Sequence, residues 1–589
     1  RFKARHSRKL RPMNRKQRRA TLKHGPPDAR AAEDAGSQIN KMFLDALALE
    51  SAGKLDNATR GYKRVVGLNP DHAEAHNNLA RVFHAQGKAK DASVFYAHAL
   101  ALMPQLFQQY SGIRGTLTSL LPQLDEALRR QMAAWPKRLG ESELFGEAGL
   151  AAIADNPLLL VLLQSTPIRD VAFERLLTAL RASLASAATA GKPVADLILG
   201  FACALARQCF INEYVFATTP DEDVQLEDLR RALSGASPSA MQIAALAMYA
   251  PLHTLPSASV LLERKWNPLI DAVLTQQLRE PAQERQLRDL IPRLTQIEDE
   301  VSQRVRQQYE ENPYPRWVHI AGQVAPMPVD QYLRDQFPTA AFTPLGKTSA
   351  LDMLIAGCGT GQVAIGSVQK HEGAQALAID LSLTSLCYAR RKTPAELASR
   401  IDYAQADILK LGSIDRSFDV IDACGVLHHM ADPLAGWRIL LSLLRPGGLM
   451  HLAFYSDVGR GDVAAARMFI AERKFGATPH DIRRCRQELL ATPLASVTRF
   501  TDFFTTSECR DLLFHVHEAR VTIPVIKDFI RENGLKFIGF EFDLPVLMRQ
   551  RAQFAAAGWS LADLDRWQEV ETKYPDTFSG MYQFWVQKN

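Results

Sequence analysis

The stretch Leu351–Gly361, LDMLIAGCGTG, constrains this chain more than any other. A short apolar run ends in a loop carrying Gly357, Gly359 and Gly361, and residues 362–370 then read as a helix. Strand, glycine turn, helix is the sequence form of a pocket for a nucleotide-like ligand. Glycines allow the tight turn and let backbone N–H groups approach a ligand that side chains would hold off. The helix N-terminus adds unpaired donors and a partial positive charge. The spacing is G-x-G-x-G; a dinucleotide fingerprint needs a third glycine where Gln362 stands.

Four more strand-like runs follow in order. The second, AQALAID, ends at Asp380, nineteen residues after Gly361, where an acid can accept from ribose hydroxyls. The third, IDYAQADIL, contains Asp407, the fourth is FDVIDACGVLHHM at 418–430, and the fifth follows LRPGG at 448–454. With these residues the chain resembles the class I S-adenosylmethionine methyltransferases, in particular the branch with V-L-H-H-x-x-D-P after strand four, here Val426–Pro433. The likeness covers about residues 346–456. It implies a Rossmann-like fold with a seven-stranded sheet of order 3-2-1-4-5-7-6, completed by late strands at 535–543 and 581–588. It implies S-adenosylmethionine as cofactor, with Gly357, Cys358, Gly359 and Gly361 along its methionine and ribose. Asp380 and Leu381 follow at the ribose, Asp407 and Ile408 at the adenine, and Cys424 and Val426 beside the methyl.

A sulfonium methyl needs little activation, so positioning and exclusion of water supply most of the acceleration, and a base is needed only for a protonated acceptor. His428 and His429, at the lip of strand four, are candidate bases, since imidazole titrates near neutrality. So is the pair Asp511 and His515, four residues apart on one helix face. His515 and His517, two apart, lack metal spacing on a helix, and no two of the seven cysteines form C-x-x-C, so no metal ligand is assigned.

The formal charge of +6 is misleading. Residues 1–24 hold eleven Lys/Arg and no acid, and the other 59 of the 70 basic residues face 64 acidic ones. The body is thus mildly acidic and carries no overall nucleic-acid footprint; only the basic tail is read as able to touch RNA or an acidic surface. Residues 1–36 are expected to be a disordered basic tail, with Met13 a candidate start. The unpaired cysteines and the lack of a long apolar run point to a reduced, cytoplasmic protein without a membrane span.

From residue 39 a 34-residue period pairs Gly53 with Gly87, Ala58 with Ala92, Tyr62 with Tyr96 and Pro70 with Pro104. These residues resemble tetratricopeptide repeats, here expected over 37–136 with a worn third copy from Phe107. The implied role is a peptide groove for a protein partner or substrate, or an oligomerisation module. Residues 137–300 read as a helical domain broken at prolines, with a charged helix over about 282–309. Residues 301–345 form a strap containing NPYPRW, expected beside the glycine loop. The strap precedes strand one, so its likeness to the N-P-P-Y motif of amino-group methyltransferases, which follows strand four, is read as accidental. Residues 346–589 form the methyltransferase domain, interrupted at 457–517 by an insertion with Phe500, Phe503, Phe504 and Phe514 beside Asp511 and His515. That insertion is read as a lid or as a docking element.

The expected function is methyl transfer to a protein or carrier-bound acceptor oriented by the helical half. The alternatives are a repeat scaffold that binds S-adenosylmethionine without catalysis, and a small-molecule or sugar methyltransferase.

Overall fold

The computed structural model describes residues 27–104, 110–233, 238–256, 258–320 and 325–589. Most of the basic tail lies outside the described residues. Its expected end at 36 is revised, because a helix already begins at Pro27 and runs to Ser51. Proline suits the first turn, and the alanines that follow favour helix.

The chain divides into two compact units. The first ends at Phe107 and includes Asn156–Leu158. It stacks helices Pro27–Ser51, Leu55–Leu68, Ala73–Ala85 and Ala89–Leu102 as antiparallel pairs. Ala58, Tyr62, Ala92 and Tyr96, the periodic positions, are buried. Gly61 permits the closest crossing, since a Cβ there would stand 2.7 Å from that of Ala46. The Tyr62 hydroxyl and the Arg81 Nε both donate to Glu50, at 2.7 and 2.6 Å.

The second unit holds everything else. It includes helices Tyr110–Leu120 and Pro122–Ala134, expected as a third repeat. They are tied instead to the following helices: Pro122–Ala134 packs on Val171–Thr189, and Arg114 pairs with Asp170 at 2.9 Å. Among the described residues no single helix is long and apolar enough to cross a membrane.

The sheet has strands β1 Leu351–Ala356, β2 Ala374–Asp380, β3 Ile401–Gln405, β4 Phe418–Ala423, β5 Leu444–Ser456, β6 Arg520–Val521, β7 Leu535–Phe540 and β8 Tyr582–Lys588. Its order is β3-β2-β1-β4-β5-β8-β7, with the two-residue β6 added beside the end of β5. Apart from that short strand this is the expected order. The first five strands are parallel and β8 is antiparallel to both neighbours. Alternate residues of β1 serve opposite faces: Leu354 and Ala356 join a core with Trp437, Phe529 and Phe584, while Met353 and Ile355 join one with Leu333, Ile365 and Leu386.

Two departures from expectation shape the site. The charged helix of 282–309 is broken into a helical run ending at Leu290 and a helix Glu300–Glu311. Pro292 interrupts the first, and Asp299 caps the second by accepting from Ser302 N–H at 2.8 Å. The segment between pairs with the open edge of β3: Leu294 N–H donates to Gln405 O and Gln405 N–H to Pro292 O, both at 2.9 Å. Helix Glu300–Glu311 is thereby laid across the carboxyl ends of the strands. In the insertion, Phe503, Phe504 and Phe514 pack with Val463, Ile482 and Leu489 in a core of the insertion's own. The helical region packs Val171 against this core and is tied to it by polar groups: Arg486 makes a bidentate pair with Glu174 at 2.7 and 2.9 Å, and Arg169 pairs with Glu508 at 2.9 Å.

Candidate functional site

At the carboxyl ends of β1, β2, β3 and β4 lies a cavity of about 250 Å³. Its floor is the glycine loop. Gly357 has φ +72°, and a Cβ there would fall 2.5 Å from Val426; a Cβ on Gly359 would fall 2.7 Å from the Tyr314 carbonyl. Any side chain at 357 therefore meets both a left-handed backbone and a branched neighbour. Gly357→Ala is expected to cost about 1–3 kcal/mol of stability, read by calorimetric unfolding, and to weaken cofactor binding in the same sample. An unchanged melting profile would contradict the close approach.

The Asp380 carboxylate accepts from Gly359 N–H and Ser382 N–H, each at 2.8 Å, and so ties β2 to the loop. Burial outweighs these bonds and pushes its carboxyl up to about 6. Asp407 is 2% exposed; one carboxylate oxygen accepts from Leu409 N–H at 3.0 Å, while its Oδ2 has no donor at hydrogen-bond distance, although the Ser302 side chain is near enough to lower the carboxyl against the rise from burial. A buried acceptor oxygen without a donor, on a cavity wall, suits the amino group of a purine. Leu381, Ile408, Cys358, Cys424 and Val426 complete this wall. The Cys424 thiol lies 3.2 Å from His451 Nδ1 and is pushed well up by burial and by Asp422.

The roof was only partly foreseen. The strap does run beside the glycine loop: Thr360 Oγ1 donates to Pro315 O at 2.5 Å, and Trp317 Nε1 donates to Thr360. Tyr314 and Pro315 line the cavity, joined by Ser302, Val305 and Tyr309 of helix Glu300–Glu311. Nothing local in the sequence marks that helix as a roof.

Of the other predicted residues, Gly361 stands off the cavity wall; a Cβ there would fall 2.5 Å from that of Ala389. His429 lines the cavity, but His428 does not. His428 is buried against Tyr455, ring centroids 4.0 Å apart, so the structure removes it from contact with a ligand. Asp511 and His515 lie one layer back, both buried behind Tyr309. His515 is therefore not a base on the wall, as its place in a lid would have required.

Residues 354–450 match the family model described as a methyltransferase domain, and residues 49–115 match a tetratricopeptide repeat. The chain is 29% identical over 223 residues to an uncharacterised protein of Synechococcus sp., covering 35% of this chain and 51% of that protein. It is 31% identical over 139 residues to a ubiquinone biosynthesis O-methyltransferase of Xanthomonas axonopodis pv. citri, covering 23% and 55%. Among solved structures, PKMT2 from Rickettsia typhi aligns with a TM-score of 0.34 at 16% identity, covering 43% of this chain and 51% of that one. The chain spans about half the length of the curated relatives it matches. It thus carries a class I methyltransferase domain and tetratricopeptide repeats. The cofactor of such a domain is S-adenosylmethionine, and the glycine floor, Asp380 and the unpartnered Asp407 oxygen fit it.

Proposed function

We propose that this protein transfers a methyl group from S-adenosylmethionine to an acceptor held under the roof of helix Glu300–Glu311 and the strap. The observation that carries the reading is the convergence of the glycine floor, the Asp380 carboxylate and the unpartnered Asp407 oxygen on one cavity. When bound, the cofactor supplies an electrophilic methyl on a sulfonium. In this reading Asp380 accepts from the ribose hydroxyls, Asp407 from the adenine amino group, and Ile408 packs on the base. Gly357, Cys358 and Gly359 let the backbone approach the methionine, while Cys424 and Val426 border the methyl end. The strap keeps water from the reacting centre, which strengthens every polar contact inside. The repeats would recruit a protein or carrier-bound acceptor, as such stacks commonly bind peptides.

Calorimetry with S-adenosylhomocysteine should give one site per chain. Incubation with a cell lysate and methyl-labelled cofactor should label macromolecules. Label confined to small molecules would favour the metabolite reading. Binding without label would favour the scaffold. Absence of binding would end the proposal.

A further inference from the structure

Tyr309 lines the cofactor cavity on the side of Tyr314 and His429. Tyr309 thus links the cavity wall to a hydrogen-bonded chain behind it, where His429, also on the wall, stacks on His515 with ring centroids 3.7 Å apart. The Tyr309 O–H donates to Asp511 Oδ1 at 2.6 Å, and His515 Nε2 lies 3.2 Å from the same hydroxyl. His515 Nδ1 accepts from His517 N–H at 3.1 Å, so in the neutral ring the proton sits on Nε2. The network then has a single direction: His515 Nε2–H to Tyr309 Oη, and Tyr309 O–H to Asp511. His515 cannot also take a proton at Nε2. Nor does it offer a metal the Nε2 lone pair, although His429, Asp511 and His515 present ligand atoms within 4.8 Å of one another. The residue that sets this up is fixed from both sides. Arg304 donates to Val516 O at 2.9 Å and Val516 N–H donates to Gln308 at 3.2 Å, which joins residues 515–517 to the roof helix.

We propose that Tyr309 takes the proton of the methyl acceptor while passing its own to the Asp511 carboxylate, so that the substrate class is an acceptor X–H that arrives protonated, a hydroxyl or an ammonium. This rests on the methyl-transfer reading. The X–H bond breaks as a new Oη–H bond forms, and the phenolic O–H bond breaks as Oδ1–H forms. The pair left on X makes the bond to the methyl carbon, and the carbon–sulfur pair returns to sulfur. The products are methylated X, S-adenosylhomocysteine and a neutral Asp511, which later loses its proton to solvent. Tyr309 is the catalytic group; Asp511 acts through it, and His515 positions it.

The electrostatics suit a proton that arrives and leaves. Burial pushes the Asp511 carboxyl up to about 6, and Glu518 raises it further. The Tyr309 bond, Arg460 and Arg467 pull the other way. The remaining charged or titratable neighbours are Asp502, Tyr314, Tyr455, His429 and His515. His429, held down to about 4 by burial, keeps a proton less well than Asp511 does. The Tyr309 phenol lies well above its ordinary range because burial and Asp511 both oppose its anion, so it relays and does not ionise at rest. The base form is the Asp511 carboxylate, and the rate therefore rises with pH through about 6.

Tyr309→Phe keeps the ring and Asp511→Asn keeps the shape, so either folded variant is decisive. Each is measured in the full chain for S-adenosylhomocysteine affinity and, with methyl-labelled cofactor held saturating at every pH so that Asp380 does not shape the profile, for transfer of label into the lysate between pH 5 and 8. Expected are wild-type affinity, a fall in rate of roughly hundredfold or more, and loss of the rise near pH 6 in Asp511→Asn. Asp511→Glu should restore part of the rate with the pH limb. A folded Tyr309→Phe that labels at the wild-type rate, or an Asp511→Asn that keeps the wild-type pH profile, overturns the relay alone. A wild-type chain that binds the cofactor product but labels nothing removes the methyl-transfer reading and the relay with it.

Discussion

Asp380→Ala is expected to weaken S-adenosylhomocysteine binding by about ten- to hundredfold. Hydrogen bonds to a charged group contribute about 1.5–3 kcal/mol each, and tenfold in affinity corresponds to about 1.4 kcal/mol. In the proposed binding mode the carboxylate has two tasks, since it also accepts from Gly359 and Ser382 N–H. Its removal therefore loosens the glycine floor as well as the ribose seat. The same group gives the binding a pH dependence whose sign is fixed. The carboxyl sits at about 6, above the ordinary range of an aspartate, because burial opposes its charge. Ribose hydroxyls need the ionised form as acceptor, so affinity is full above pH 7 and falls as pH drops through about 6. Calorimetry from pH 5 to 8 on wild type and Asp380→Asn checks this: the wild-type curve should bend and that of the amide should not. A flat wild-type curve would remove Asp380 from the ribose.

The second large effect concerns stability. Glu174 and Arg486 are both essentially enclosed, at 4% and 0% side-chain exposure. Arg486 also donates to Phe503 O and Val215 O. Removing one partner leaves the other charged and buried, which typically costs about 3–5 kcal/mol. Glu174→Gln is expected to release the insertion, with faster hydrogen exchange over 479–514 and a lower unfolding temperature. Replacing both residues by apolar ones of similar volume should recover much of the loss, because a buried ion pair often contributes little more than well-packed apolar groups. The deficit left in the double variant would then report the two carbonyls that Arg486 satisfies. If Glu174→Gln exchanges like wild type, the pair is not what seats the insertion.

The strand series from β1 to β5, its glycine loop, Asp380 and Asp407 could all be read in advance because each is written locally. An apolar run, a turn and an acid at a fixed offset fall within a few residues of one another. The repeats were readable for the same reason. The roof was not, because Tyr309 comes from a helix ahead of β1 and reaches the cavity only through pairing with Gln405, about a hundred residues later. The strap over 301–345 is legible as a segment beside the glycine loop, yet nothing periodic sets Tyr309 within it apart as the tyrosine that meets Asp511 and His515. His515 was singled out for its spacing from Asp511, which was correct for their adjacency. Spacing could not reveal that a backbone N–H occupies Nδ1. The Glu174–Arg486 pair joins residues 312 apart, beyond any pattern a window can hold.

The pairing of residues 292–294 with β3 has a further consequence. β3 is the last strand on its side of the sheet, and a bare outer strand offers unpaired backbone groups to any other chain. Here a proline-containing stretch from before the methyltransferase region lies along it, able to accept at Pro292 but with no N–H there to extend the ladder. The chain thereby insulates its own outer strand with a piece that also hoists the roof helix into place. Cutting between 301 and 351 would strip both at once, leaving the sheet with an uncovered flank open to pairing and the cavity without its ceiling.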